Sequence, residues 1–269
     1  MMGDIGSPND LDGDGVMNGD DNCPNHSNPD QNDEDSNSQG DPCDPCPPYE
    51  TYYDYFTMTT KDADADTDTD GVGDGCDPDP ETPGNHILRF AGFKTAPPPP
   101  AMVQQLGNGT STFNGRLVVT SGAIGDGVQV YWPAPPEVRA RETWTYLTLT
   151  SKPFQSTGAG AVDWMDPNTS TGVGCEMWGA NSTTMVQAIL YLPVNVASMG
   201  SGLAVGSWLM KLRHNASSTF FSCAYFLNPT NYGTLTNINA GSQPALPAGA
   251  VIGVRATTTS TFDWMMVVD

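Results

Sequence analysis

Between residues 1 and 84 the only Ile, Leu or Val residues are Ile5, Leu11, Val16 and Val72, so this stretch cannot assemble a hydrophobic core of its own. It carries 23 of the chain's 31 acidic side chains against one basic residue, Lys61. A segment so charged and so poor in apolar groups stays expanded unless counterions draw its carboxylates together. Residues 85–269 are the reverse, with 8 acidic and 9 basic side chains and enough Val, Leu, Phe and Trp for one sizeable core. The chain is read as two parts, 1–84 and 85–269. Its formal net charge of −21 excludes a nucleic-acid binder, which needs a basic surface.

The acidic residues are spaced, not merely abundant. From Asp10, oxygen-bearing side chains fall at positions 1, 3, 5, 9 and 12 of a twelve-residue loop, as Asp10, Asp12, Asp14, Asn18 and Asp21, with Gly15 at position 6 and the carbonyl of Val16 at position 7. Alternate side chains then point at one ion, the glycine permits the sharp turn, and position 7 adds a backbone oxygen, which is the chemistry of a calcium loop. The pattern returns from Asp33 as Asp35, Asn37, Gln39 (carbonyl), Asp41 and Asp44, with Ser38 at the turn. It returns again from Asp66 as Asp68, Asp70, Val72 (carbonyl), Asp74 and Asp77, with Gly71 at the turn. Asp62 and Asp64 extend the alternation upstream and could share a second ion. Position 12 is Asp each time and no amphipathic helix flanks a loop, so these are not helix-loop-helix sensors.

The run Asp21-Asn22-Cys23-Pro24, followed by Asn28-Pro29-Asp30-Gln31 and by Gly40-Asp41-Pro42-Cys43-Asp44, resembles a thrombospondin type 3 repeat cassette over residues 9–80. The resemblance implies almost no regular secondary structure, a backbone wrapped around at least three calcium ions held by the residues just named, and disulfides between successive repeats, Cys23 with Cys43. Ser38 departs from the pattern, because a non-glycine residue there strains the turn. Residues 45–61 depart too, as an insert bearing Tyr49, Tyr52, Tyr53, Tyr55 and Phe56 that either packs on the neighbouring domain or loops out.

Six cysteines allow fifteen pairings. With Cys23 and Cys43 joined, Cys46 and Cys76 are left within the acidic third. Cys175 and Cys223 each sit in an apolar strand-like run, where they join two strands or stay as buried thiols. Zinc is disfavoured, since Cys43 and Cys46 have no matching second pair. Disulfides beside calcium loops imply an extracellular or cell-surface setting. No export signal is visible at Met1, so the start is expected to be truncated, and no segment is apolar enough to insert in a membrane.

Past Ile87, ten short runs rich in β-branched and aromatic residues alternate with turn signals, from Ile87–Phe93 to Thr261–Val268, which predicts an all-β sandwich. In the last run Phe262, Trp264, Met266 and Val268 are expected on one face. Pro97–Pro100 is expected to be an extended surface loop. The domain size, the number of strands and the closing Phe262-Asp263-Trp264 resemble laminin-G-like or concanavalin-like jelly rolls, which implies a lectin-like fold.

No strand carries the closely spaced carboxylates of a glycoside hydrolase, and His86 and His214 lack a nucleophile beside them, so no catalytic residue is assigned. Asp163 and Asp166, read as flanking Trp164 in a loop, are the best remaining acidic pair. Sugars stack on Trp and Tyr rings; Trp132, Trp164, Trp178, Trp208 and Tyr191 are available, with Trp164 between two acids the foremost ligand-binding candidate. The sequence thus reads as an extracellular calcium-binding structural and adhesion protein, not an enzyme, whose sandwich binds glycans or matrix and surface proteins. The alternatives are a polysaccharide-active hydrolase or lyase with the repeats as spacer, and a sandwich that packs into a larger assembly.

Overall fold

A computed structural model describes residues 9–54, 59–94, 105–106, 109–113, 115–120, 128–133, 140–150, 157–165, 172–180, 183–190, 195–199, 203–215, 220–227, 230–239, 251–256 and 259–269. In chain order the strands are β1 (Thr51–Asp54), β2 (Thr59–Asp62), β3 (Ile87–Gly92), β4 (Gln105–Leu106), β5 (Thr110–Phe113), β6 (Leu117–Thr120), β7 (Val128–Pro133) and β8 (Ala140–Leu149). They continue as β9 (Thr157–Met165), β10 (Gly172–Ala180), β11 (Thr183–Leu190), β12 (Asn195–Met199), β13 (Gly206–Asn215), β14 (Phe220–Leu227), β15 (Thr230–Asn239), β16 (Val251–Ala256) and β17 (Ser260–Val268). The fold is all-β, without helices among the described residues.

Two sheets face each other, a seven-stranded one in the order β12-β11-β10-β9-β16-β7-β4 and an eight-stranded one in the order β15-β14-β13-β8-β17-β6-β5, with β3 also paired to β17. Strand alternation sends one set of side chains into the space between them. From the eight-stranded sheet come Leu147, Trp208, Met210, Leu212 and Phe262; from the other come Val173, Met177, Val186, Ala188, Ile252 and Val254, all buried. Cys175 of β10 and Cys223 of β14 are disulfide-bonded across this core, and the Tyr225 hydroxyl donates across it to the carbonyl of Gln187 at 2.6 Å.

The outer face of the eight-stranded sheet is covered as well. Trp144, Trp264, Met266 and Val268 form a second buried cluster with Cys46, Ala63, Val72 and Cys76 of the acidic third, flanked by Tyr49, Tyr52 and Tyr146. Tyr49 meets the Trp264 ring edge-on at 5.4 Å, and Tyr146 stacks beneath that ring at 6.1 Å. The acidic third therefore borrows its hydrophobic core from the sandwich. The insert does not loop out at its ends: β1 and β2 form an antiparallel hairpin, and Tyr49 and Tyr52 pack on the sheet.

One expected face is corrected. An irregularity in the β17–β8 register between Phe262 and Trp264 shifts the alternation by one residue. Phe262 joins the inner core with Met265 and Val267, while Trp264, Met266 and Val268 face the repeats. Pro97–Pro100 lies outside the described residues.

Candidate metal centre

Asp10–Asp21, Asp33–Asp44 and Asp66–Asp77 fold into three loops of one geometry. At position 6, Gly15, Ser38 and Gly71 have φ of 97°, 79° and 97°. Position 4 is left-handed too, at Gly13, Ser36 and Thr69, with φ of 77°, 71° and 66°. These angles turn backbone N–H groups inward onto the first carboxylate. Asp10 accepts from Gly13 (2.8 Å) and Gly15 (3.2 Å), Asp33 from Ser36 (2.6 Å) and Ser38 (3.0 Å), and Asp66 from Thr69 (2.6 Å) and Gly71 (2.9 Å).

The later positions repeat as faithfully. Position 9 accepts from the position 2 N–H through Asn18, Asp41 and Asp74 at 2.9, 2.8 and 2.9 Å. Position 12 accepts from the N–H two residues on through Asp21, Asp44 and Asp77 at 2.8, 2.7 and 2.7 Å. At position 3, and at Asp21 and Asp77 of position 12, the carboxylate spends one oxygen on orienting itself. The other oxygen is left over: Oδ2 of position 3 is buried without a hydrogen-bond partner in every loop (Asp12, Asp35, Asp68), as is Oδ2 of Asp21 and Asp77 at position 12. A buried carboxylate oxygen with nothing to accept from is costly unless a cation supplies the partner. Ligand atoms of Asp10, Asp12 and Asp14 lie within 4.8 Å of one another, and so do those of Asp66, Asp68 and Asp70. The donor set is all hard oxygen, which fits a calcium ion.

Crowding is worst at the middle loop. Asn37 donates to Asp44 at 3.2 Å and to Asp64 at 3.0 Å, drawing the segment before the third loop onto the second. Burial, with Asp64 and Asp35 nearby, pushes the Asp44 carboxyl up to about 8. Burial likewise raises Asp35, Asp41 and Asp77 to about 6 and Glu34 to about 7. Asp70 goes the other way, because backbone N–H groups of Val72, Gly84 and Asn85 outweigh its burial.

Successive loops interlock. The Gly40 N–H donates to the Asn22 carbonyl at 3.1 Å and the Gly73 N–H to Pro45 at 2.9 Å. The disulfides Cys23–Cys43 and Cys46–Cys76 close the same two junctions. A Cβ on Gly40 would sit 2.4 Å from Asn22 Oδ1 and 2.7 Å from Cys23 Sγ, so only glycine fits there. Asn22, Asn28 and Gln31 brace the turn, with Asn28 Nδ2 donating to Asn22 Oδ1 at 2.7 Å and the Asn22 N–H to Gln31 Oε1 at 2.9 Å. The middle loop is tied to the sandwich: Lys94 N–H donates to Glu34 Oε2 at 3.1 Å, and Lys94 Nζ to the Glu34 carbonyl at 2.9 Å.

The loop expected around Trp164 is a strand. β9 runs to Met165 at the centre of the seven-stranded sheet, where Trp164 pairs with Val173 and Ile252 and Asp163 with Gly174 and Gly253. The reason is the glycine and small-residue content of Thr157–Val162, which hides a strand from a propensity reading. Asp166 lies outside the described residues, as does Tyr191. Trp208 is wholly buried in the core, with its indole N–H on the Ala204 carbonyl at 3.1 Å. Sequence reasoning missed Glu176, a buried carboxylate on β10 that accepts from Gln187 Nε2 at 2.8 Å and pairs with Arg255 of β16.

Comparison with known proteins divides along the same line. The thrombospondin type 3 repeat family matches residues 1–31. The sandwich is similar in fold to winged bean acidic lectin, solved with methyl-alpha-D-galactose, at 12% identity over 67% of this chain and 98% of that one, with a TM-score of 0.53. Peanut lectin, solved with a nonapeptide, gives 12% identity over 67% and 96% of the two chains and a TM-score of 0.51. Lectin II from Ulex europaeus gives 9% identity, 68% and 100% coverage, and 0.50. No curated protein sequence matches the chain. The class these findings define is a lectin-like β-sandwich carrying an acidic segment similar to thrombospondin type 3 repeats. No helix of the described residues is long and apolar enough to cross a membrane.

Proposed function

We propose that this chain is an extracellular or cell-surface adhesion module in which calcium folds the acidic third onto the back of a glycan-binding sandwich. The observation that carries the calcium reading is the leftover oxygen at position 3 of all three loops. Bound calcium supplies positive charge to oxygens that the backbone has already oriented. The residues that would hold it are Asp10, Asp12, Asp14, Asn18 and Asp21; Asp33, Asp35, Asn37, Asp41 and Asp44; and Asp66, Asp68, Asp70, Asp74 and Asp77, with the carbonyls of Val16, Gln39 and Val72. At least three ions are expected, and their binding free energy is folding free energy for that segment. Glycan binding is supported by the lectin-like fold alone, which does not fix a ligand.

Calorimetric calcium titration of the whole chain, with small-angle scattering before and after chelation, tests the first half. Three or more ions bound, with expansion on chelation, is expected; unchanged heat and size would sink the reading. A glycan array in calcium tests the second half. Binding without release of reducing ends is expected, whereas product release lost in Asp163→Ala would favour a polysaccharide-active enzyme.

A further inference from the structure

The middle loop carries the most backbone strain of the three. Positions 4 and 6 must both turn left-handed, and there it has Ser36 and Ser38, where the first loop has Gly13 and Gly15 and the third has Thr69 and Gly71. Its position 5 is the neutral Asn37, in place of Asp14 and Asp70. It is also the loop that the sandwich grips. Phe93, just past β3, is buried in the core, and its N–H donates to the Asp263 carbonyl at 2.9 Å. Lys94 reaches out from that fixed point: its N–H donates to Glu34 Oε2 at 3.1 Å, and its Nζ to the Glu34 carbonyl and to Ser36 Oγ, both at 2.9 Å. Glu34 is buried against β3, where a Cβ on Gly92 would collide with its carboxylate.

These contacts bracket Asp35, the position 3 residue whose Oδ2 is one of the leftover oxygens. On one side of it the Ser36 N–H holds the Asp33 carboxylate at 2.6 Å; on the other the Glu34 N–H holds Asp41 at 2.8 Å. One lysine thus braces the backbone from which Asp33, Asp35 and Asp41 are aimed. At the same two positions the first loop has Leu11 and Gly13 and the third has Thr67 and Thr69, all exposed. We infer that Lys94 is a positioning residue for the middle calcium site, holding Ser36 in its left-handed turn so that the sandwich sets the affinity of this loop. The inference rests on the calcium reading above and names the regulation of one of its sites. The coupling is reciprocal: calcium in this loop holds Lys94 and the exit of β3 as firmly as they hold the loop. As a charge alone Lys94 would act in the opposite sense, since a cation beside a calcium site repels the ion. The sign of the effect of removing it therefore separates a brace from a charge.

The test is stepwise calcium calorimetry on the full chain, with amide hydrogen exchange at subsaturating calcium to show which loop each step orders. It compares wild type with Lys94→Met, which keeps the stem of the side chain but not its donors. The step that protects residues 33–44 should weaken about three- to tenfold, the size of one or two exposed charge-assisted hydrogen bonds, while the steps on the other two loops stay within about twofold. Ser36→Gly added to Lys94→Met should recover most of the loss, because glycine needs no brace at that angle. If Lys94→Met does not fold, Ser36→Ala, which removes one acceptor only, decides in its place by a smaller loss at the same step. A middle step that is unchanged or tightened, or equal weakening of all three, would overturn the brace and leave the calcium reading standing. No calcium bound by wild type would overturn both.

Discussion

Ser38 is the one turn residue of the three loops that carries a side chain at position 6, and its substitution by glycine should tighten calcium binding. An L-residue held in the left-handed region costs about 1–2 kcal/mol. Glycine removes that strain but loses more backbone freedom on ordering, about 0.5–1 kcal/mol. The side chain is exposed, so its loss sacrifices no packing. A net gain of about 0.5–1 kcal/mol remains, and at about 1.4 kcal/mol per tenfold it becomes a two- to fivefold tighter site, since loop ordering and ion binding are one event. The mirror change is Gly71→Ser: a Cβ there meets nothing within 4 Å, so only the backbone angle of 97° is charged against it, and affinity should fall by a similar factor. Stepwise calcium calorimetry on Ser38→Gly, Gly71→Ser and wild type measures both. Unchanged or weaker binding in Ser38→Gly would refute the claim that the three loops share one strained backbone and that ordering them limits affinity.

Other consequences are open to measurement. Asp44 near 8, Glu34 near 7 and Asp35, Asp41 and Asp77 near 6 all sit above their unfolded values, so without calcium the folded form holds extra protons and its stability falls as pH rises from about 4 to 8. Calcium must displace the protons on Asp35, Asp41, Asp44 and Asp77, so melting with and without chelator should show calcium affinity rising across the same window, with protons released to the buffer. Chelation at pH 7.5 should free Tyr49 and Tyr52 from the Trp264 face and red-shift tryptophan emission, while strand content by far-UV circular dichroism changes little. Gly40→Ala should cost about 1–3 kcal/mol by crowding the Cys23–Cys43 junction, read as a lowered melting temperature in calcium. Replacing Cys175 and Cys223 together by alanine should cost about 2–5 kcal/mol by the same assay and leave calcium binding intact.

The loops were legible because their chemistry is local. Ligand spacing, the turn at position 6 and the Cys23–Cys43 junction all lie within a few dozen residues, and alternation alone aims the side chains. Position 4 was not legible, because Gly13, Ser36 and Thr69 share a backbone angle but no residue type. Sandwich class followed from alternating β-branched runs, yet β9 escaped because Gly158, Gly160 and Ala161 carry no strand propensity. A register irregularity in β17 has no sequence mark, so Phe262 was placed on the face of Trp264, Met266 and Val268 instead of with Met265 and Val267. The Glu176–Arg255 pair joins residues 79 apart in sequence and becomes visible only once β10, β9 and β16 are neighbours.

β17 serves two cores at once. Its Phe262, Met265 and Val267 fill the space between the sheets, while its Trp264, Met266 and Val268 are the floor on which the repeats lie. During synthesis the acidic loops emerge first and can load ions early, but the surface that receives them is not complete until this strand leaves the ribosome. For most of translation, then, the first third of the chain waits for its foundation, and the oxidation of Cys46 and Cys76, buried at that contact, can be locked in before it arrives. A frameshift within the codons of β17 would thus be felt in the acidic loops.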